Sequence, residues 1–115
     1  MIRRAEEMLQ EVRDKMRGGK GKVEILHIFQ RHELEGSARL CAKITLQPGC
    51  SIGYHTHDDE EEIFYIIRGI GTVNDNGKED TVRAGDAILT GGGAGHGIAN
   101  TGDEPLEIMA TILLY

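Results

Sequence analysis

From residue 23 onward the chain alternates its side chains with a period of two, and this pattern limits the fold more than any other feature. Val23, Ile25, His27 and Phe29 alternate with Glu24, Leu26, Ile28 and Gln30, and Leu40, Ala42, Ile44 and Leu46 alternate with more polar neighbours. Successive strand residues point to opposite faces, so each run reads as a half-buried strand. Turn signals separate the runs. Gln47-Pro48-Gly49 and Thr101-Gly102-Asp103-Glu104-Pro105 are turn sequences, and Asp75-Asn76-Gly77 has the Asn-Gly pair that tolerates a type I′ hairpin turn. Short strands with turns at intervals near ten residues predict an all-β sandwich or barrel over residues 23–115. No helical period lies between them, which excludes a parallel α/β sheet.

The segment before residue 23 is different. Met8, Val12 and Met16 lie four apart in a charge-rich stretch, a spacing that predicts a short helix over residues 3–17 stopped by Gly18 and Gly19. Residues 1–22 are therefore read as an N-terminal helix or extended arm. The run Arg17-Gly18-Gly19-Lys20-Gly21-Lys22 has too few features of a phosphate-binding loop and reads as a mobile linker.

A chain of 115 residues suits one domain with one core. With no Trp and 4% aromatic residues, that core must be built from Ile, Leu, Val and Ala. A net charge of −6 with no Lys/Arg cluster argues against nucleic acid as a partner. No apolar run reaches the 18 residues a membrane helix needs, and the first residues lack the apolar stretch of a signal peptide. A cytoplasmic location is expected, with Cys41 and Cys50 as free thiols.

The chemistry concentrates in four positions. His55 and His57 are two apart in a β region and so share a face. A polar turn follows, Asp58-Asp59-Glu60-Glu61, and the chain re-enters an apolar strand at Glu62. His96 lies in the glycine-rich stretch Gly91 to Gly97, just before another strand. Three neutral imidazoles and one carboxylate form a mixed N/O ligand set that suits Mn, Fe, Co, Ni or Zn. Binding requires neutral histidines and an ionised glutamate, so it weakens in acid.

The spacing Gly49-x5-His55-x-His57-x4-Glu62-x6-Gly69 resembles the first motif of the cupin family at every fixed position. The second cupin motif, Gly-x5-Pro-x-Gly-x2-His-x3-Asn, is met by Gly85, Gly93, His96 and Asn100, with Gly91 in the proline place. The resemblance implies a double-stranded β-helix, or jelly-roll barrel. It also implies one divalent transition metal held by His55, His57, Glu62 and His96. It selects Glu62 over Glu61, because only Glu62 leaves Gly69 at the required distance. Glu60 and Glu61 are then expected to be solvated charges. With Glu62 and His96 inward, Phe64, Ile66 and Ile98 follow them into the interior, while Tyr54 and Tyr65 face away.

Short cupins resemble oxalate decarboxylases, small dioxygenases and sugar isomerases, which implies a small oxygenated substrate that chelates the metal. Oxalate decarboxylases carry an arginine three residues before the first histidine of the motif; here that position is Ile52. The alternative is a non-catalytic metal-containing binding or sensor domain. His27 shares a face with Phe29 and reads as a structural or surface residue. Arg39 has the chemistry to hold a substrate carboxylate, but its strand parity puts it outside. No residue beyond the four ligands has a spacing that marks it as catalytic. A homodimer is expected, with the Val23–Gln30 strand covered by a partner or, within one chain, by the N-terminal helix.

Overall fold

The computed structural model describes residues 1–115. It has ten strands: β1 (Leu9–Asp14), β2 (Lys22–His27), β3 (Ala38–Leu46), β4 (Ser51–Thr56), β5 (Glu60–Arg68), β6 (Ile70–Asp75), β7 (Lys78–Arg83), β8 (Ala87–Gly91), β9 (Gly95–Asn100) and β10 (Leu106–Leu114). The only helical pieces are three single turns of 3-10 helix, at Ala5–Glu7, Met16–Gly18 and Arg31–Glu33. Six strands form one sheet in the order β1-β2-β3-β10-β5-β8, and four form a second in the order β4-β9-β6-β7. The paired strands are antiparallel throughout. Strands consecutive in the chain often lie in different sheets, which is the jelly-roll arrangement.

Period-two burial follows the sequence pattern. Along β10, Leu106, Ile108, Ala110 and Ile112 are buried while their neighbours are half-exposed. Ala42, Ile44 and Leu46 of β3 and Phe64 and Ile66 of β5 face the same interior, joined from the second sheet by Ile52, Val73 and Ile98. Tyr54 and Tyr65 face solvent. The turns form where expected: Asn76 and Gly77 both have positive φ and join β6 to β7, and the Cys50 N–H donates to the Gln47 carbonyl around Pro48-Gly49. Cys41 and Cys50 are free.

The N-terminal segment departs from its expected helix. Residues 9–14 form a strand, β1, that pairs with β2 in register from Leu9↔His27 to Asp14↔Lys22. A helix at this site would leave the hydrogen-bonding edge of β2 open, whereas a strand satisfies it. Three apolar residues four apart do not outweigh a ladder of backbone bonds. The edge that the sequence offers to a partner is thus covered within the chain.

The run 17–22 is likewise no loose linker. Ser51 N–H donates to the Lys20 carbonyl, and Lys20 N–H donates to Ser51 Oγ. Gly19 and Gly53 sit back to back: a Cβ on Gly53 would overlap the Arg17 carbonyl, and one on Gly19 would overlap the Ser51 carbonyl. Only glycine permits this approach. Gly91 is also fixed sterically. It ends β8 opposite Glu61, and a Cβ there would stand 2.6 Å from the Glu61 Cβ, so the residue in the proline place is a tight packing point.

Candidate metal centre

A β-bulge sets the first part of the site. Along the β4–β9 pair, Ile52 opposes Ile98 and His55 opposes His96, so Gly53 and Tyr54 together face Gly97 alone. One extra residue reverses the strand's parity. Ile52 therefore points inward, and so do His55 and, beyond the end of the strand, His57. β9 brings His96 in from the neighbouring strand, and β5 brings Glu62 from the opposite sheet. His57, Glu62 and His96 are buried and His55 is half-buried.

The four groups converge. His57 Nε2 lies 3.0 Å from His96 Nε2 and 3.1 Å from Glu62 Oε1, and His96 Nε2 lies 3.0 Å from the same oxygen. One ligand atom from each of the four residues falls within 4.8 Å of every other. The three rings stand edge to face, with centroids 4.7–4.9 Å apart, and Phe64 stacks on His96 at 4.8 Å.

The outer nitrogens fix which atoms face inward. His55 Nδ1 donates to the Gly53 carbonyl at 2.8 Å, since a carbonyl can only accept. His57 Nδ1 donates to Glu60 Oε2 at 2.5 Å, and His96 Nδ1 lies 3.0 Å from Thr90 Oγ1. With its proton on Nδ1, a neutral ring presents the Nε2 lone pair. Lone pairs of this kind, about 3 Å apart and joined by a carboxylate oxygen, repel one another unless a cation or shared protons stand between them. The donor set therefore fits a divalent ion: ligand atoms roughly 2.1 Å from an ion and at right angles to each other are about 3.0 Å apart. The bonds on the outer nitrogens orient the rings as second-layer partners of metal-bound histidines do.

The electrostatics agree with this. Burial lowers the pKa of His55, and the positive charges of His96, His57 and Arg17 add to that effect. The hydrogen bond to Glu62 raises the pKa of His57 against the effect of burial. For Glu62, burial pushes the carboxyl up, but the hydrogen bonds from His57 and His96 outweigh it and hold the pKa below its usual range. Burial thus favours a neutral His55, and the neighbouring histidines an ionised Glu62, as a cation requires, whereas the proton that Glu62 favours on His57 is one that a metal would replace.

Glu60 is not the solvated charge expected from its setting in an acidic run. Arg39 Nε and Nη2 grip its two oxygens, each at 2.8 Å. That bidentate pair, helped by His57, holds the Glu60 carboxyl at about 2. Arg39 is not outside either. Between β3 and β10 the register runs Leu40↔Ile112 and then Ala38↔Leu113, so Arg39 is the unpaired residue of a bulge and turns to the rim of the site. The residue alternation of an ideal strand gives no sign of either bulge.

A cavity of about 70 Å³ opens from the centre. Its wall includes His55, His57, Glu62, Phe64, Ile52 and Ile44 from the barrel, and Glu11, Arg13, Met16 and Arg17 from the N-terminal segment. His27 lines it too, with Nε2 2.8 Å from Glu11 Oε1, so it reaches the barrel mouth and is not a plain surface residue. The volume is well below the roughly 300–1,000 Å³ of drug-sized pockets and admits a ligand of a few heavy atoms. Three arginines and two glutamates line it, a positive balance in a chain of net charge −6.

Comparison with known proteins supports the same grouping. The model of the cupin domain matches residues 42–112. The oxalate-binding protein of Thermotoga maritima is 44% identical over 114 residues, covering 99% of this chain and 94% of that protein. The crystal structure of a predicted oxalate decarboxylase from Thermotoga maritima superposes with a TM-score of 0.94 at 43% identity, over the whole of both chains. The cupin domain of Cnp3 from Schizosaccharomyces pombe has a TM-score of 0.74 at 14% identity, over 91% of this chain and 69% of that one, a likeness of fold alone. With matching motifs, fold and relatives, this chain belongs to the cupin family.

Proposed function

We propose that the protein holds one divalent transition metal (Mn, Fe, Co, Ni or Zn) on His55, His57, Glu62 and His96, and binds a small carboxylate at that centre. The observation that carries this reading is the convergence of three imidazoles and a carboxylate, with ligand atoms within 4.8 Å of one another, beside a cavity of about 70 Å³ lined by arginines. A bound divalent ion supplies a Lewis acid that polarises a carboxylate oxygen. The chain's own residues do the rest. Phe64, Ile44 and Ile52 exclude water around the ligand, and the arginines at the mouth supply countercharge. The 44% identity to a protein named for oxalate binding makes oxalate the first ligand to test.

Turnover is a second reading, in the lyase, oxidoreductase or isomerase class. Glu11 and His27 favour it, because a hydrogen-bonded pair on the cavity wall can carry a proton to or from a ligand. Ile52 counts against a decarboxylase of the usual kind, since it puts an apolar wall where those enzymes have an arginine. Saturable oxalate binding without release of formate or carbon dioxide favours the binding module.

The deciding experiment is elemental analysis of the native protein beside a His55→Ala, His96→Ala double variant. One equivalent of metal per chain, lost in the double variant, is expected. Metal no higher than the variant's level, after reloading with each candidate ion, overturns the reading. We also propose a cytoplasmic homodimer. With β2 covered by β1, one exposed apolar patch that a second copy could cover is Ile63, Tyr65 and Ile67 of β5 with Leu89 of the neighbouring β8. Light scattering tests it, and a monomer overturns it.

A further inference from the structure

We infer that the N-terminal turn Met16–Gly18 is part of the ligand site and that Arg17 is its outer carboxylate anchor, binding the end of a small dicarboxylate that the metal does not hold. This inference rests on the carboxylate reading proposed above. Three arginines line the cavity, and two are already engaged: Arg39 grips Glu60, and Arg13 Nε lies 2.7 Å from Glu11 Oε2. Arg17 is the third, and no carboxylate stands within ion-pair reach of it. Its guanidinium is the cavity's uncommitted fork of donors, the group that matches a carboxylate in geometry as well as charge.

The backbone around Arg17 is built to hold it there. Lys15 and Arg17 both adopt left-handed conformations, with φ of 54° and 56°. Residues other than glycine keep such conformations only where the surroundings force them, and they cluster at ligand sites. Three backbone hydrogen bonds impose them here. Gly18 N–H donates to the Lys15 carbonyl, Gly19 N–H to the Met16 carbonyl, and Lys15 N–H to the Gly21 carbonyl. The Arg17 carbonyl packs against Gly53, where any side chain would exclude it. Gly53 in turn accepts the Nδ1 proton of His55. One glycine therefore aligns a metal ligand with its carbonyl and seats the anchor with its bare Cα.

Calorimetric titration of oxalate and of acetate into the manganese-loaded full chain tests this. Arg17 is exposed, so Arg17→Gln should fold and retain one manganese per chain. Expected are a 10- to 100-fold weaker oxalate affinity, an acetate affinity within threefold of the parent, and partial recovery of oxalate binding in Arg17→Lys. Arg83→Gln, with the same loss of charge on the remote strand β7, should bind oxalate as the parent does. Oxalate binding by Arg17→Gln within threefold of the parent, or an equal loss in Arg83→Gln, overturns the anchor and leaves the carboxylate reading standing. Loss of manganese from Arg17→Gln also overturns it, since Arg17 would then act through the metal centre. A manganese-loaded parent that binds neither anion overturns both readings.

Discussion

Glu60 shows how one side chain can tie a metal ligand to a pocket wall. It accepts from His57 Nδ1 on one side and from Arg39 on the other, so it fixes the tautomer of a proposed ligand and the position of a cavity cation together. In Glu60→Gln the amide oxygen can still accept from one partner but no longer neutralises Arg39. The expected outcome is a folded protein with metal affinity lowered about 10- to 100-fold, the usual effect of losing an outer-layer partner. Competition against a metallochromic chelator measures it, and unchanged affinity would show that His57 needs no such support. The family motif made the four converging residues legible: the His-x-His spacing puts two of them on one face, and the resemblance supplied Glu62 and His96. Glu60 was not legible: nothing in Asp58-Asp59-Glu60-Glu61 tells which acid meets an arginine 21 residues earlier. The meeting depends on the bulge at Arg39, which is a property of two strands and not of one.

At the scale of elements, the segment before β2 turns from accessory to structural. β1 closes the edge of the six-stranded sheet, and the turn after it is latched to β4. Farther upstream, Arg3 pairs with Glu33 of the 3-10 turn Arg31–Glu33 and lies 5.4 Å over the Phe29 ring. The hydrogen bond from Arg3 holds the Glu33 carboxyl at about 2, against 4.5 when free. A carboxyl with a lower folded pKa stabilises the pairing fully above its free value and loses that contribution as pH falls toward the folded value. The Glu7 and Met8 amides, hydrogen-bonded in the turn that follows Arg3, should therefore exchange slowly above about pH 4.5 and faster between 4.5 and 2, beyond the intrinsic pH effect. In Glu33→Gln the exchange should be fast at both ends of that window; an unchanged profile would rule the pair out as the latch. The sequence pattern offered helix or extended arm here, and local spacing cannot decide between them. The deciding partner, β2, lies beyond a turn that two glycines shape by contact with a third strand.

Across the whole molecule, the barrel was the most legible feature, because period-two burial in β3, β5 and β10 and the turn residues between strands all specify the same architecture. The cavity's charge was not, since its arginines come from residues 13, 17 and 39, on three different elements. A metal bound at the meeting of the two sheets stabilises the folded state by mass action. At a free concentration 100 times the dissociation constant this is about 2.7 kcal/mol, so chelation should lower the melting temperature on the order of 10 °C. Differential scanning fluorimetry with and without a chelator measures it, and a His55→Ala, His96→Ala variant should show no difference.

The place of β10 bears on how such a protein is made. This strand, residues 106–114, lies between β3 and β5, near the middle of the larger sheet. Until it has been synthesised, β1, β2 and β3 have no hydrogen-bonded link to β5 and β8. Residues 55–96 are by then already translated, so the four converging side chains exist as a nascent chain before the wall behind Glu62 is in place. At roughly 5–20 residues per second, the stretch from His96 to Leu114 takes about one to four seconds to add, and only then can both sheets close around the four side chains. A metal held there would thus be enclosed only once β10 had joined the two halves of the larger sheet, so its selection would fall to the completed cage and to the ions available at that late step.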